Sequence, residues 1–203
     1  MTSFYEVPVP GTFDRDVALI DLETSKVPAP AGTMNANGEP MRLRWMTEMA
    51  GIARDGLITI VDDGTEADRL SAIGEVLAGA REVRYMATRE FDEMILRGRF
   101  TNARRSHFPA PVFPAMPGAE EANWKCLRCD IRLERGADVP SRDVPAYLAS
   151  GRWEPVAVHL LRDIAELIVL AGNPDAECRE WCELVLADRD AAYDAVLGGE
   201  PEL

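Results

Sequence analysis

The Asp55-Gly56 pair, set between the apolar runs Trp45–Ala53 and Leu57–Val61, does most to narrow what this chain can fold into. A tight turn between antiparallel strands needs positive φ, which Gly adopts without steric cost, so this pair predicts a β-hairpin. Upstream, Val17-Ala18-Leu19-Ile20 is a short apolar, partly β-branched run that reads as a buried strand closed by Asp21-Leu22-Glu23. Residues 26–40, rich in proline and glycine, read as a loop. The three apolar segments together predict an antiparallel meander. Residues 1–16, with Pro8, Pro10 and Gly11, read as an extended lead-in.

Past the meander the pattern alternates. Thr65 is placed to cap a helix whose apolar positions Leu70, Ile73, Leu77 and Ala80 recur at helical spacing. Glu82–Met86 reads as a strand, followed by a helix over about Arg89 to Arg99. Residues 104–125 form a proline-rich loop, and a short helix runs through Tyr147 to Ser150. The strongest helix starts at Pro155, a favourable first-turn residue, with Ala157, Leu160, Leu161, Ile164, Leu167, Ile168 and Ala171 on one stripe. Gly172-Asn173-Pro174 stops it, and one last helix extends from about Asp175 to Leu197. Strands first, then strands alternating with helices, predict an α/β domain with a mixed sheet flanked by helices. At 203 residues the chain suits one domain over its whole length.

Charge excludes one class of function. With 22 basic and 35 acidic residues the net charge is −13, so this is not a protein that coats nucleic acid through a basic surface. Any contact with nucleic acid is local or assisted by bound cations. No apolar run approaches bilayer length, and Met1–Pro10 carries neither a basic patch nor an apolar core of a secretion signal. The expectation is a soluble cytoplasmic protein that does not engage membranes.

Four carboxylates and one imidazole stand out. Asp21 and Glu23 are two residues apart on a strand and so share a face, an oxygen pair of the kind that holds hard divalent cations. In a chain this acidic, a solvated strand end is the plain alternative. Asp92 begins the helix after Glu82–Met86, where the helix dipole alone would favour an acid. His159 and Asp163 lie one helical turn apart beside the apolar stripe, fit either for an ion pair or for a metal ligand beside a general base.

The motifs Ala18-Leu19-Ile20-Asp21-Leu22-Glu23-Thr24, Phe91-Asp92 and His159-Leu160-Leu161-Arg162-Asp163 resemble the three motifs of the DEDD 3′–5′ exonucleases. Val144-Pro145-Ala146-Tyr147-Leu148-Ala149-Ser150-Gly151-Arg152 resembles the lead-in to the last motif in polymerase-B-like members. His159 precedes Asp163 at the spacing of the family's tyrosine subfamily and takes that tyrosine's place, while Thr88 stands where many members carry asparagine. The resemblance implies a ribonuclease H-like fold, an antiparallel meander followed by parallel strands. It implies an enzyme that releases nucleoside 5′-monophosphates from the 3′ end of DNA or RNA, with two Mg²⁺ or Mn²⁺ ions. Asp21 would bridge the two ions, Glu23 and Asp163 would ligate one and Asp92 the other. His159 would position the attacking water, and Thr24, Thr88 and Arg89 would meet the substrate. The other reading is a non-catalytic module of the same fold that binds a nucleic-acid end or a protein partner.

Arg81, Arg84, Arg89, Arg97, Arg99, Arg104 and Arg105 form a basic island, readable as a phosphate track or as a solvated helix face. Phe108, Phe113 and Trp124 suit either base stacking or anchoring of the loop. Cys126-Leu127-Arg128-Cys129 with Cys178 and Cys182 offers four thiols for a structural zinc, against the plainer reading of buried core thiols. His107 reads as a surface-loop residue.

Overall fold

The computed structural model describes residues 4–29, 31–32, 39–40, 42–62, 64–86, 123–127 and 133–198, and of Phe4 and Arg44 the backbone alone. The expected helix at 89–99 lies outside the described residues, as does most of the proline-rich loop. Among the described residues six strands, β1 (Phe4–Pro8), β2 (Val17–Pro28), β3 (Leu43–Arg54), β4 (Leu57–Val61), β5 (Glu82–Met86) and β6 (Asn123–Leu127), form one sheet in the order β1-β4-β3-β2-β5-β6. The β1–β4, β4–β3 and β3–β2 pairings are antiparallel, and β2–β5 and β5–β6 are parallel.

The local signals explain the hairpin and the first helix. Asp55 and Gly56 both take positive φ, 53° and 83°, the backbone of a two-residue turn matched to strand twist. Thr65 caps α1 (Glu66–Leu77) reciprocally: its side chain accepts from the Asp68 N–H, and the Asp68 carboxylate accepts from the Thr65 N–H at 2.8 Å. Next come α2 (Val144–Ala149), α3 (Glu154–Ala171), α4 (Ala176–Ala187) and α5 (Arg189–Leu197). Leu70, Ile73 and Leu77 of α1 pack with Ala18, Ile20 and Val83 on one face of the sheet. The stripe of α3 packs with Leu19, Met49 and Ile58 on the other, where Cys178, Cys182 and Val185 of α4 complete the core.

Four boundaries differ from the sequence reading. The lead-in contains β1, because Val7 and Val9 find a buried site at the sheet edge, where Pro8 at a strand end costs no ladder bond. Strand β2 does not end at Asp21–Glu23 but runs on to Pro28, since the equally long β3 supplies ladder partners through the acids. The loop expected over 104–125 gives way to β6 at Asn123, which extends the parallel half of the sheet. The last helix is two, broken at Asp188, whose carboxylate accepts from the Asp190 and Ala191 N–H groups and starts α5. A capping side chain there outweighs the continuity of the apolar pattern.

Candidate metal centre

Alternation along β2 assigns its residues to two faces. Ala18, Ile20 and Leu22 face α1, while Val17 and Leu19 face α3, and the same parity turns Asp21 and Glu23 toward α3. Parallel pairing with β5 runs to Ile20↔Tyr85, so the two acids follow directly on the last paired residue. Crevices beyond the carboxyl ends of parallel strands are a common location for sites in α/β sheets. Opposite Asp21 in the ladder stands Gly51. A Cβ there would lie 2.9 Å from Ile164 Cγ1, so the glycine is what lets α3 approach the sheet beside the acids.

Helix α3 brings a polar stripe down onto this position. His159, Arg162 and Glu166 are 5%, 0% and 0% exposed, on a helix otherwise buried through apolar residues. His159 Nε2 lies 3.2 Å from Asp163 Oδ2 and 3.4 Å from Glu23 Oε1. Ligand atoms of Glu23, His159 and Asp163 all fall within 4.8 Å of one another, close enough for one cation. Asp21 lines the same open cleft of about 430 Å³, with Leu22, Met86, Leu133, Arg135 and Ser141.

The segment 133–140, which sequence reasoning left unassigned, completes the centre. Glu166 Oε1 accepts from the Leu133 N–H at 2.8 Å, and Arg162 Nη1 donates to the Ala137 carbonyl at 2.7 Å. Pinned this way, the segment supplies two side chains to the cluster. Arg135 Nη2 bonds Asp163 Oδ1 and Glu166 Oε2. Asp138 Oδ2 sits 3.1 Å from His159 Nδ1. Arg162 and Glu166 on the apolar stripe were the available signal, because buried charges need partners from elsewhere in the chain.

The charges are strongly coupled. Burial works against the His159 cation, but the Asp138 hydrogen bond and the charges of Asp163, Asp138 and Glu23 overcome it and push the imidazole up to about 9. Burial also opposes ionisation of Asp138, yet its bond to His159, the Val139 N–H and Arg162 hold that carboxyl below its usual range. Arg135 is raised, its burial outweighed by Asp163 and Glu166. Glu23, Asp138, Asp163 and Glu166 thus share Arg135, Arg162 and His159 as their cationic partners, and the acids outnumber the cations.

Of the residues singled out from sequence, Asp21, Glu23, His159 and Asp163 meet in this cleft. Asp92, Thr88 and Arg89 lie outside the described residues, as do Arg97, Arg99, Arg104, Arg105, His107, Phe108, Phe113 and Cys129. Thr24 pairs with Thr47 in the ladder, just past a register shift that falls between Glu23 and Thr24. Arg81 bonds Asp16, and Arg84 bonds Glu82 and the Ala171 carbonyl, so these two members of the basic island serve contacts within the fold. Trp124 packs edge-on against Tyr85, with ring centroids 6.2 Å apart. Cys178 and Cys182 are buried beneath α4 on the α3 side of the sheet, whereas Cys126 packs on the α1 side, which separates them as zinc ligands. Burial raises both buried thiols, as expected of core cysteines.

No protein-family model matches the chain, and neither the curated proteins nor the solved structures contain a match. Among the described residues no helix is long and apolar enough to cross a membrane.

Proposed function

We propose that this protein is a metal-dependent 3′–5′ exonuclease with a ribonuclease H-like fold. The observation that carries the reading is the meeting of Glu23 from β2 with His159 and Asp163 from α3, their donor atoms within 4.8 Å, in a cleft also lined by Asp21. The order β4-β3-β2-β5-β6, antiparallel and then parallel, agrees with the expected fold. Carboxylate oxygens and an imidazole nitrogen form a donor set that fits a divalent cation. Asp21, Glu23 and Asp163 would hold Mg²⁺ or Mn²⁺, with Asp92 as the remaining acid. Two bound ions would polarise the scissile phosphate and stabilise both the entering and the leaving oxygen. The chain's own residues fix the acids: β2 holds Asp21 and Glu23 through its ladder, and Arg135 bonds one oxygen of Asp163. The substrate is a DNA or RNA 3′ terminus and the product a nucleoside 5′-monophosphate.

The test uses 5′-labelled single-stranded DNA and RNA with Mg²⁺, Mn²⁺ or EDTA, on the protein and on the Asp21→Ala/Asp163→Ala variant. A metal-dependent ladder shortening from the 3′ end, lost in a variant of unchanged circular dichroism, is the expected result. Equal cleavage by the variant, or none by the protein with either metal, refutes the assignment.

One observation favours a second reading, a non-catalytic module of the same fold that binds a nucleic-acid end or a partner protein. Arg135 and His159 already pair with these acids from within the fold. A folded protein that binds neither Mg²⁺ nor Mn²⁺ in calorimetry supports that reading.

A further inference from the structure

We infer that His159 is itself a ligand of the bound ion, so that the Glu23–His159–Asp163 position takes a divalent transition-metal ion of the Co²⁺ and Zn²⁺ class in preference to Mg²⁺. The inference rests on the metal-binding part of the proposed function and names the ion that its site selects. It does not depend on turnover.

His159 is almost fully enclosed, and its two nitrogens face different partners. Nδ1 meets Asp138 Oδ2 at 3.1 Å, while Nε2 faces Asp163 Oδ2 at 3.2 Å and Glu23 Oε1 at 3.4 Å. Metal binding would displace the Nε2 proton to solvent, while the carboxylate on Nδ1 holds the other proton there and directs the freed Nε2 lone pair toward the two acids. That is the usual outer-shell arrangement of a metal-ligating histidine. Asp163 is supported in the same way: Arg135 bonds Oδ1, leaving Oδ2 as the oxygen nearest the ring. Each of these two donors therefore has its own positioning residue, Asp138 for the ring and Arg135 for the carboxylate, both supplied by the segment that α3 pins down.

The spacing of Nε2 from the two oxygens also fits. Ligands about 2.1 Å from an ion lie about 3.0 Å apart at octahedral angles and about 3.4 Å apart at tetrahedral ones. The two separations from Nε2 fall in that interval. Nε2 thus lies at ligand-to-ligand distance from both oxygens. An imidazole in the first coordination sphere favours borderline transition ions, and Mg²⁺ prefers an all-oxygen set.

The experiment uses the full chain, stripped with EDTA and labelled with ¹⁵N-histidine. The chain has two histidines, His107 and His159, so a His107→Gln variant isolates the His159 signals. The protein is titrated with ZnCl₂ and with MgCl₂ by NMR, and with CoCl₂, MnCl₂ and MgCl₂ by calorimetry. The expected result is a displaced His159 Nε2 resonance with Zn²⁺, Nδ1 remaining protonated, and affinity for Co²⁺ at least about tenfold above that for Mg²⁺. Asp138→Ala should weaken Co²⁺ binding by about 10- to 100-fold, with Asp138→Asn, which keeps an acceptor for Nδ1–H, recovering part of the loss. The wild-type resonance is read without any variant at the site, so a misfolded variant does not decide the matter. Cobalt absorption separates nitrogen and oxygen ligation from ligation by the cysteines.

An unmoved Nε2 with an ion bound at the acids, or Mg²⁺ bound as tightly as Co²⁺, overturns the inference and leaves the exonuclease reading standing. A displaced Nε2 in a protein with no nuclease activity upholds the inference while the exonuclease reading falls. Absence of binding by all four ions overturns both.

Discussion

Arg135 is predicted to be the residue whose loss most unsettles the metal-free centre, and Arg135→Met tests this. The substitution removes the guanidinium bonded to Asp163 and to Glu166, whose side chain has no exposed surface. Removing one partner of a buried ion pair costs about 3–5 kcal/mol, because the remaining charge stays desolvated. Arg135 and Asp163 retain 17% and 13% exposure, which moves the expected loss to the low end, about 3 kcal/mol. With a urea slope of about 2–3 kcal/mol/M, the unfolding midpoint falls by about 1 M in EDTA. Replacing the buried acid as well, in Arg135→Met/Glu166→Leu, removes the stranded charge. The Leu133 N–H then loses its acceptor at about 1 kcal/mol, yet the double variant should be about 2 kcal/mol more stable than the sum of the two singles. A midpoint shift below about 0.4 M for Arg135→Met, or strict additivity in the cycle, would refute the buried-pair reasoning.

Other perturbations read other parts of the fold. The folded-state pKa of His159, about 9, lies above its unfolded value of about 6.5, so the folded protein binds the extra proton. In EDTA its contribution, on the order of 3 kcal/mol, is therefore fully present below pH 6.5 and is lost as pH rises toward 9; His159→Asn should flatten that slope in urea titrations. Gly51→Ala puts a methyl group against Ile164 and should cost about 1–3 kcal/mol by overpacking; an unchanged urea midpoint would mean that α3 does not approach β3 so closely. Asp188→Ala removes the cap of α5 and should cost about 1 kcal/mol in thermal or urea unfolding, whereas a continuous helix through 188 would gain stability from alanine.

Features carried by neighbours in sequence were legible from the sequence alone. The Asp55-Gly56 turn, the Thr65 cap, strand Glu82–Met86 and the apolar stripe of α3 each follow from a backbone preference or a period, and none of the four needs a distant partner to be read. The shared face of Asp21 with Glu23, and of His159 with Asp163, is legible for the same reason, because two- and four-residue spacings are properties of a strand and a helix. The tertiary structure decided the rest. Residues 4–8 become a strand only because β4 offers an open edge, and β2 continues through its acids only because β3 runs beside it. Arg135 and Asp138 lie in a segment with no periodicity, so nothing local marks them; they acquire their roles from the buried side chains of α3, which must find hydrogen-bond partners once water is excluded. Whether an acid beside a histidine is a surface ion pair or a candidate metal centre depends on what a third segment brings to it, and that is a long-range pairing which no local pattern encodes.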